Sequence, residues 1–365
     1  MPTKSRTAKT LRIAKFLIPV AIVAVLLCWL LYSEYEFVQL GSLGGTSGVA
    51  MGLNNRGQVV GWSETADGHT HAFLWDADNG MRDLGTLGGA KSEAWNINEK
   101  GQVVGASETG DGSTHAFIWD PTTGMIDLGT LGGKTSNAMA VNNNGQVVGR
   151  SETADGETHA FLWQRDAGMK DLHAGQAAKS GGADINDRGQ IVGYVESIGS
   201  SQRTSYAFYW DQASGMVMIP VPSGMDSYAV GVNDAGQVIG DFFDRGTGQF
   251  NPFIWDKTDG LNELQLPGGS WYAGRFNEAG AVIGKVIERK RLFFRPRRFA
   301  FLRKPSGRIL YLERFAPAGA GEIDACDIND NGWIAGATGY KSHQGQRPIL
   351  LRPRRLLRRP SNSPH

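Results

Sequence analysis

One sentence of about 44 residues is written seven times along this chain, and that repetition constrains the fold more than any single residue does. Its clearest marker is an Asn-x-x-Gly turn, found at Asn54/Gly57, Asn98/Gly101, Asn142/Gly145, Asn186/Gly189, Asn233/Gly236, Asn277/Gly280 and Asn329/Gly332. Successive Asn lie 44, 44, 44, 47, 44 and 52 residues apart. A period of this size belongs to propellers and solenoids, in which each repeat buries its apolar faces only against its neighbours. The chain therefore reads as one cooperative body despite its 365 residues.

Glycine supplies 50 of those residues in a chain that is still 41% hydrophobic, a balance that suggests many short strands joined by tight turns. Each repeat divides into four apolar stretches of strand length; in the second copy they are Met81–Leu84, Ala94–Asn98, Gln102–Ser107 and His115–Trp119. Asn-x-x-Gly separates the second stretch from the third, with Gly closing the turn at positive φ. Asp-Gly separates the third from the fourth at Asp67-Gly68, Asp111-Gly112 and Asp155-Gly156, a strong hairpin signal. Such turns demand antiparallel neighbours, whereas solenoid coils run parallel. The expectation is all-β, a seven-bladed β-propeller of four-stranded antiparallel blades over 36–351. Whether the first strand pairs with the last repeat to seal the ring is open at this level.

Charge is distributed unevenly: five Lys/Arg and no acid in 1–15, 14 basic against 30 acidic residues in 16–280, and 18 against 6 in 281–365. Phe16 to Tyr32 carries no charge and is long enough to span ~25 Å as a helix. With basic residues before it and Glu34 and Glu36 after it, the segment reads as an uncleaved single-pass signal anchor. The expected location is therefore a bacterial cytoplasmic membrane, N-terminus inside and propeller outside. Residues 1–15 form a basic cytoplasmic N-terminus in this reading. Residues 352–365 form a basic, disordered tail directed at anionic lipid headgroups. RKRLFFRPRR (Arg289–Arg298) extends a hairpin on the opposite, distal face. Its Phe293 and Phe294 are read as strand residues rather than as a stacking pair, and nucleic acid is not an expected partner.

No Gly-rich phosphate loop, nucleophile elbow, HExxH or CxxC spacing is present. Cys28 and Cys326 cannot build a disulfide framework. His71, His115 and His159 begin the fourth stretch of their repeats, and Trp75, Trp119, Trp163, Trp210 and Trp255 end it. Equivalent positions in a symmetric array lie far apart, so the histidines read as packing rather than as metal ligands. One Asp per hairpin falls far short of a calcium site. No catalytic, metal or cofactor-binding residue is assigned, and no cofactor is expected.

The strings HAFxW, GMxDLGTLGG and SxAxxxNxxGQVVGxSET look like those of the HAF-repeat proteins, a bacterial family of exported or surface repeat proteins. The resemblance covers about Glu36 to Leu351 and implies a β-propeller and an extracytoplasmic location, with no catalytic residue to carry over. It fades in later copies, where LGTLGG becomes LHAGQA at Leu172, LQLPGG at Leu264 and LERFAPAG at Leu312. Two functions follow as expectations. The first is a binding or scaffold module for an unknown protein or glycan ligand, its specificity held in the loops where repeats differ. The alternative is a hydrolase or lyase whose site is assembled from several blades around a central channel, invisible to linear motifs. Carboxylates converging with Arg or His on the axis would favour the second.

Overall fold

A computed structural model describes residues 34–173, 179–198, 203–264, 266–267, 269–288, 297–340 and 345–354. The described chain is all-β, interrupted by one short 3-10 turn at Leu312–Phe315. Strands assemble into four sheets of four and one of twelve. The twelve-stranded sheet is itself three four-stranded groups, joined by single parallel bridges at Thr70↔Lys91 and Thr114↔Thr135. Within a group, strands pair antiparallel in chain order, as the Asn-x-x-Gly and Asp-Gly turns predict. In the second repeat these are Gly88–Ile97, Val103–Thr109, Thr114–Asp120 and Gly124–Asp127.

The phase of the repeat differs from the sequence reading. The GMxD stretch is the fourth strand of the preceding group, not the first of the next: Trp75 pairs with Met81 and Phe73 with Asp83. The cause is local. Asp76 Oδ1 accepts the N–H groups of Asp78 and Asn79 at 3.0 and 2.8 Å, and Gly80 takes φ +71°, so the chain reverses at once. A frame shifted by one strand leaves Tyr35–Gln39 without a group of its own. It pairs instead with Arg347–Pro353, from Tyr35↔Pro353 to Gln39↔Ile349, and joins the two ends of the repeat array.

Apolar side chains fill the space between adjacent sheets. Val60, Ala72 and Leu74 of the first repeat meet Ala94, Ile97, Val103, Phe117 and Trp119 of the second. The Phe of HAF is wholly buried in six repeats, at Phe73, Phe117, Phe161, Phe208, Phe253 and Phe301, each contributing roughly 2 kcal/mol of burial. The repeated polar residues stitch one repeat to the next. Ser92 Oγ accepts the N–H of Ala72 at 2.8 Å and donates to the carbonyl of Gly85 at 2.6 Å, and Ser136 does the same for Ala116 and Gly129. These bonds explain why SxA, HAF and LGTLGG recur together in the early repeats, and the bond to the third-strand amide persists at Ser180 and Ser227 where LGTLGG is absent.

First strands run from the face bearing the Asp-Gly and LGTLGG loops, called here the loop face, to the turn face bearing Asn-x-x-Gly. Each first strand carries a β-bulge before its Asn, for example between Ala94 and Asn96.

The expectation of a single-pass anchor is corrected. Among the described residues no helix is long and apolar enough to cross a membrane, and the fold is built of strands. Residues 1–15 and 16–32 lie outside the described residues, as do 355–365 of the tail and 289–296 of the basic run with Phe293 and Phe294. The location drawn from that anchor is not carried forward.

Candidate functional site

The first strands of neighbouring repeats pack against one another among the described residues, and their side chains form three layers from turn face to loop face. At the turn face the repeated Asn forms a buried circuit. Asn54 Nδ2 donates to the carbonyl of Asn98 at 3.0 Å, Asn98 to Asn142 at 2.9 Å, Asn142 to Asn186 at 2.9 Å and Asn186 to Asn233 at 2.8 Å. Asn277 donates to Asn329 at 3.0 Å, and Asn329 back to Asn54 at 2.9 Å. Each Oδ1 meanwhile holds its own turn, as Asn98 Oδ1 accepts from Lys100 and Gln102.

The following residue forms a second circuit, which closes completely. The N–H of Asn55 binds Glu99, that of Glu99 binds Asn143, and the chain continues through Asp187, Asp234, Glu278 and Asp330 back to Asn55. All seven links are 2.7–2.9 Å. Five of these seven side chains are carboxylic acids. Burial raises the pKa of Glu278, and the neighbouring Asp234, Asp330 and Asp187 raise it further.

In the middle layer, two residues before the Asn, Asp184, Arg275 and Asp327 come together from the fourth, sixth and seventh repeats. Arg275 Nη1 lies 3.2 Å from Asp184 Oδ2 and donates to the carbonyl of Val230 at 2.7 Å. Asp184 accepts the N–H of Val232, and Asp327 that of Leu53, each at 3.0 Å, while Asn96 accepts that of Val141 at 3.1 Å. The amides beside three of the bulges are thus satisfied by a side chain of another repeat, while that of Ile328 is held by Asp327 of its own. Protein encloses the Asp–Arg pair, yet 18% and 22% of the two side chains stays open toward the axis. Desolvation raises both aspartates, Asp327 to about 6, with Arg275 opposing.

Toward the loop face lies a pocket of about 670 Å³ between the first, sixth and seventh repeats. Val49, Met51, Trp62 and Tyr272 form apolar walls, and Lys285 Nζ bonds Asp324 Oδ1 at 2.7 Å within it. Gly274 sits where other first strands carry Met51, Trp95 or Met139, and its missing side chain leaves part of this space open. Cys326 also lines the pocket; burial pushes its thiol up to about 12, so it stays protonated.

The residues singled out from the sequence lie elsewhere. His71, His115 and His159 pair with Asp83, Asp127 and Asp171 at 2.8, 2.8 and 2.7 Å on the outer side of the loop face. Among the described residues no group of three or more His, Cys, Asp or Glu is placed to hold a metal ion. Asp67, Asp111 and Asp155 accept from the hydroxyls of Thr65, Thr109 and Thr153 inside their turns. Trp75, Trp119, Trp163 and Trp255 are core.

Comparison with known proteins speaks to the fold. A family described as a protein of unknown function (DUF3466) matches residues 134–220, less than half of the chain. No curated protein matches. Among solved structures, a streptogramin B lyase superposes with a TM-score of 0.57 at 10% identity, covering 89% of this chain and 99% of that one. The β-propeller domain of the Trilobed protease from Pyrococcus furiosus gives 0.56 at 11% identity, with 84% and 95% covered. A catalytically inactive variant of virginiamycin B lyase from Staphylococcus aureus, with quinupristin, gives 0.54 at 11% identity, with 87% and 99% covered. The chain has a propeller-like all-β fold. These matches support the fold and not the HAF-repeat resemblance.

The acidic circuit, the Asp184–Arg275–Asp327 group and the pocket all escaped the sequence reading. Each depends on residues 44 or more positions apart, and only alignment of every repeat on its Asn reveals which side chains share a layer.

Proposed function

We propose that the chain is a non-catalytic binding module, a seven-bladed propeller that takes its ligand in the pocket on the loop face. The observation carrying this reading is the pocket itself. It is concave and largely apolar, with a few fixed polar groups, and it is built where the repeats differ: Trp62, Tyr272, Gly274, Lys285 and Asp324. A protein or a glycan is the expected partner.

The enzymatic reading has one observation in its favour, the Asp184–Arg275–Asp327 group on the axis. Its oxygens are engaged by the backbone N–H groups of Val232, Leu53 and Ile328, which suits holding repeats together better than proton transfer.

The test presents the immobilised full chain with glycan and peptide panels. Retention should be lost on Trp62→Ala and kept on Trp119→Phe, a change in the core. Turnover of any panel member that disappears with Arg275→Met would replace this reading with the enzymatic one.

A further inference from the structure

The loop face is aromatic in the later repeats at positions that are not aromatic in the second and third repeats. Tyr194 stands in register where the second and third repeats have Ala106 and Arg150. Tyr228 and Tyr272 stand where they have Glu93 and Asn137. Phe243 replaces the Glu of SET, as in Glu152.

These rings form contacts across the fourth, fifth and sixth repeats. Tyr194 and Tyr228 have centroids 5.9 Å apart, Phe243 and Phe250 4.6 Å, and Phe250 and Tyr272 4.4 Å. All are only partly buried, and Tyr272 continues the run into the pocket with Trp62. Partly exposed aromatic faces at this density call for a ligand with flat apolar surfaces of its own.

Charge narrows the choice. Two pairs of charged groups beside the rings are closed into ion pairs, Arg245 with Asp226 at 2.6 Å and Lys285 with Asp324 at 2.7 Å, while Arg150, Glu152, Lys179 and Glu196 of both signs surround Tyr194 and Arg298 also lines the pocket. Asp226 also accepts the N–H of Ser205 at 3.0 Å, and the Tyr228 hydroxyl donates to Ser205 Oγ at 2.9 Å. Paired charges add no net field to hold a polyanion, which binds by neutralising its phosphates or acids one by one. They do present a fixed donor next to a fixed acceptor. A hydroxyl group both donates and accepts, so adjacent hydroxyls satisfy such a pair.

We propose that the ligand is a neutral oligosaccharide lying across the aromatic run of the fourth to sixth repeats, with one ring in the Trp62–Tyr272 pocket. The C–H faces of its rings stack on the aromatic side chains, and its hydroxyls bridge the two ion pairs. This inference rests on the binding function proposed above and names its ligand class.

The experiment measures binding of the full chain by calorimetry to neutral hexose and N-acetylhexosamine oligomers, an acidic polysaccharide and a proline-rich peptide set. At least one neutral oligomer should bind. Its affinity should fall at least ~10-fold in both Tyr272→Ala and Trp62→Ala, with Tyr272→Phe close to wild type. Raising salt from about 50 to 500 mM should change that affinity less than ~2-fold. Melting curves of every variant must match wild type, and Tyr272→Phe keeps the stacking surface testable if the alanine variants fail to fold. Peptide binding sensitive to Trp62→Ala, with no neutral oligomer bound, would overturn the saccharide and leave the binding module standing. Salt-steep binding of the acidic polysaccharide alone would also overturn the saccharide proposal. No panel member with Trp62-sensitive binding would overturn both.

Discussion

The side chain of Asn329 donates to the carbonyl oxygen of Asn54 at 2.9 Å although 275 residues separate them. The adjacent pair repeats the relationship, with the N–H of Asp330 on Asn55 Oδ1 at 2.9 Å. Two hydrogen-bonded circuits thus cross from the last repeat to the first. On the neighbouring edge, Tyr35–Gln39 completes the last sheet. Closure of the ring is therefore distributed between its axis and its rim.

Asn329→Ala removes a buried donor and leaves the Asn54 carbonyl and the Trp333 amide without their partner. The expected loss is about 1–3 kcal/mol of stability, read as a lower midpoint in urea with an unchanged slope. An unaltered midpoint would show that this junction carries no share of the stability.

The glycine of QVVG tolerates no side chain. A Cβ on Gly105 would lie 1.9 Å from the carbonyl oxygen of Glu93, and the same clash recurs for Gly61 with Val49 and Gly149 with Asn137. Gly110, two residues before a hairpin Gly, has nothing closer than 4.0 Å. Gly105→Ala should prevent soluble expression or cost more than ~3 kcal/mol, while Gly110→Ala should stay within about 0.5 kcal/mol of wild type. Thermal melts of the two proteins side by side decide the matter.

That contrast marks what is legible in the sequence. Asn98-x-x-Gly101 and Asp111-Gly112 announce their turns because the chemistry lies within four residues. The recurrence of Gly105 in every early repeat is visible too, but its cause, a bulge pressing a neighbouring strand's carbonyl against it, is not. Arg275 and Asp184 are ordinary letters until their repeats are superposed on Asn277 and Asn186. The assignment of GMxD to the wrong strand group has the same origin. Phe16–Tyr32 suggests an anchor by hydropathy alone, and no membrane-spanning helix occurs among the described residues.

Asp241 gives the fold a pH dependence of definite sign. Its carboxylate is buried against the N–H of Ala273, with oxygens at 2.9 and 3.2 Å, and desolvation pushes it up to about 7. The unfolded value is about 3.9, so between about pH 4 and 7 the native state holds a proton that the unfolded chain has lost. The contribution is fully present below that window and is lost as pH rises across it. Asp241→Asn keeps an acceptor for Ala273 and should stabilise the protein at pH 8 by on the order of 2 kcal/mol, with no gain at pH 4. Equal gains at both pH values would show that ionisation of Asp241 is not the cause.

The rim closure depends on the first described residues. Glu34 bonds Lys304 and Arg308 at 2.7 Å each, and these cations hold its carboxyl below the usual range. Tyr35 packs on Phe315 with centroids 5.0 Å apart and donates to the carbonyl of Gly332 at 3.2 Å. A chain beginning at Gly41 exposes Ile349 and Leu351 and should lose its cooperative melt. Glu34→Gln, which breaks only partly exposed ion pairs, should cost no more than ~1 kcal/mol. Cooperative melting of the shortened chain at the wild-type temperature would show that the axis alone closes the ring.

His115 and Asp127 bond at 2.8 Å across two strands, and the residues in the same register of the sixth repeat are Phe299 and Tyr311, an edge-to-face pair with centroids 5.5 Å apart. The two positions differ together between these repeats, and Asp127 also accepts the N–H of Gly129 at 2.7 Å. His115→Phe alone sets an apolar ring against a carboxylate; His115→Phe with Asp127→Tyr restores a matched pair. A double-mutant cycle should return a favourable coupling of roughly 0.5–1 kcal/mol for the aromatic pair. Additive losses would mean that the pairs are independent surface residues. Ligand binding should be the same in all four proteins, since this register lies outside the pocket lined by Trp62 and Tyr272.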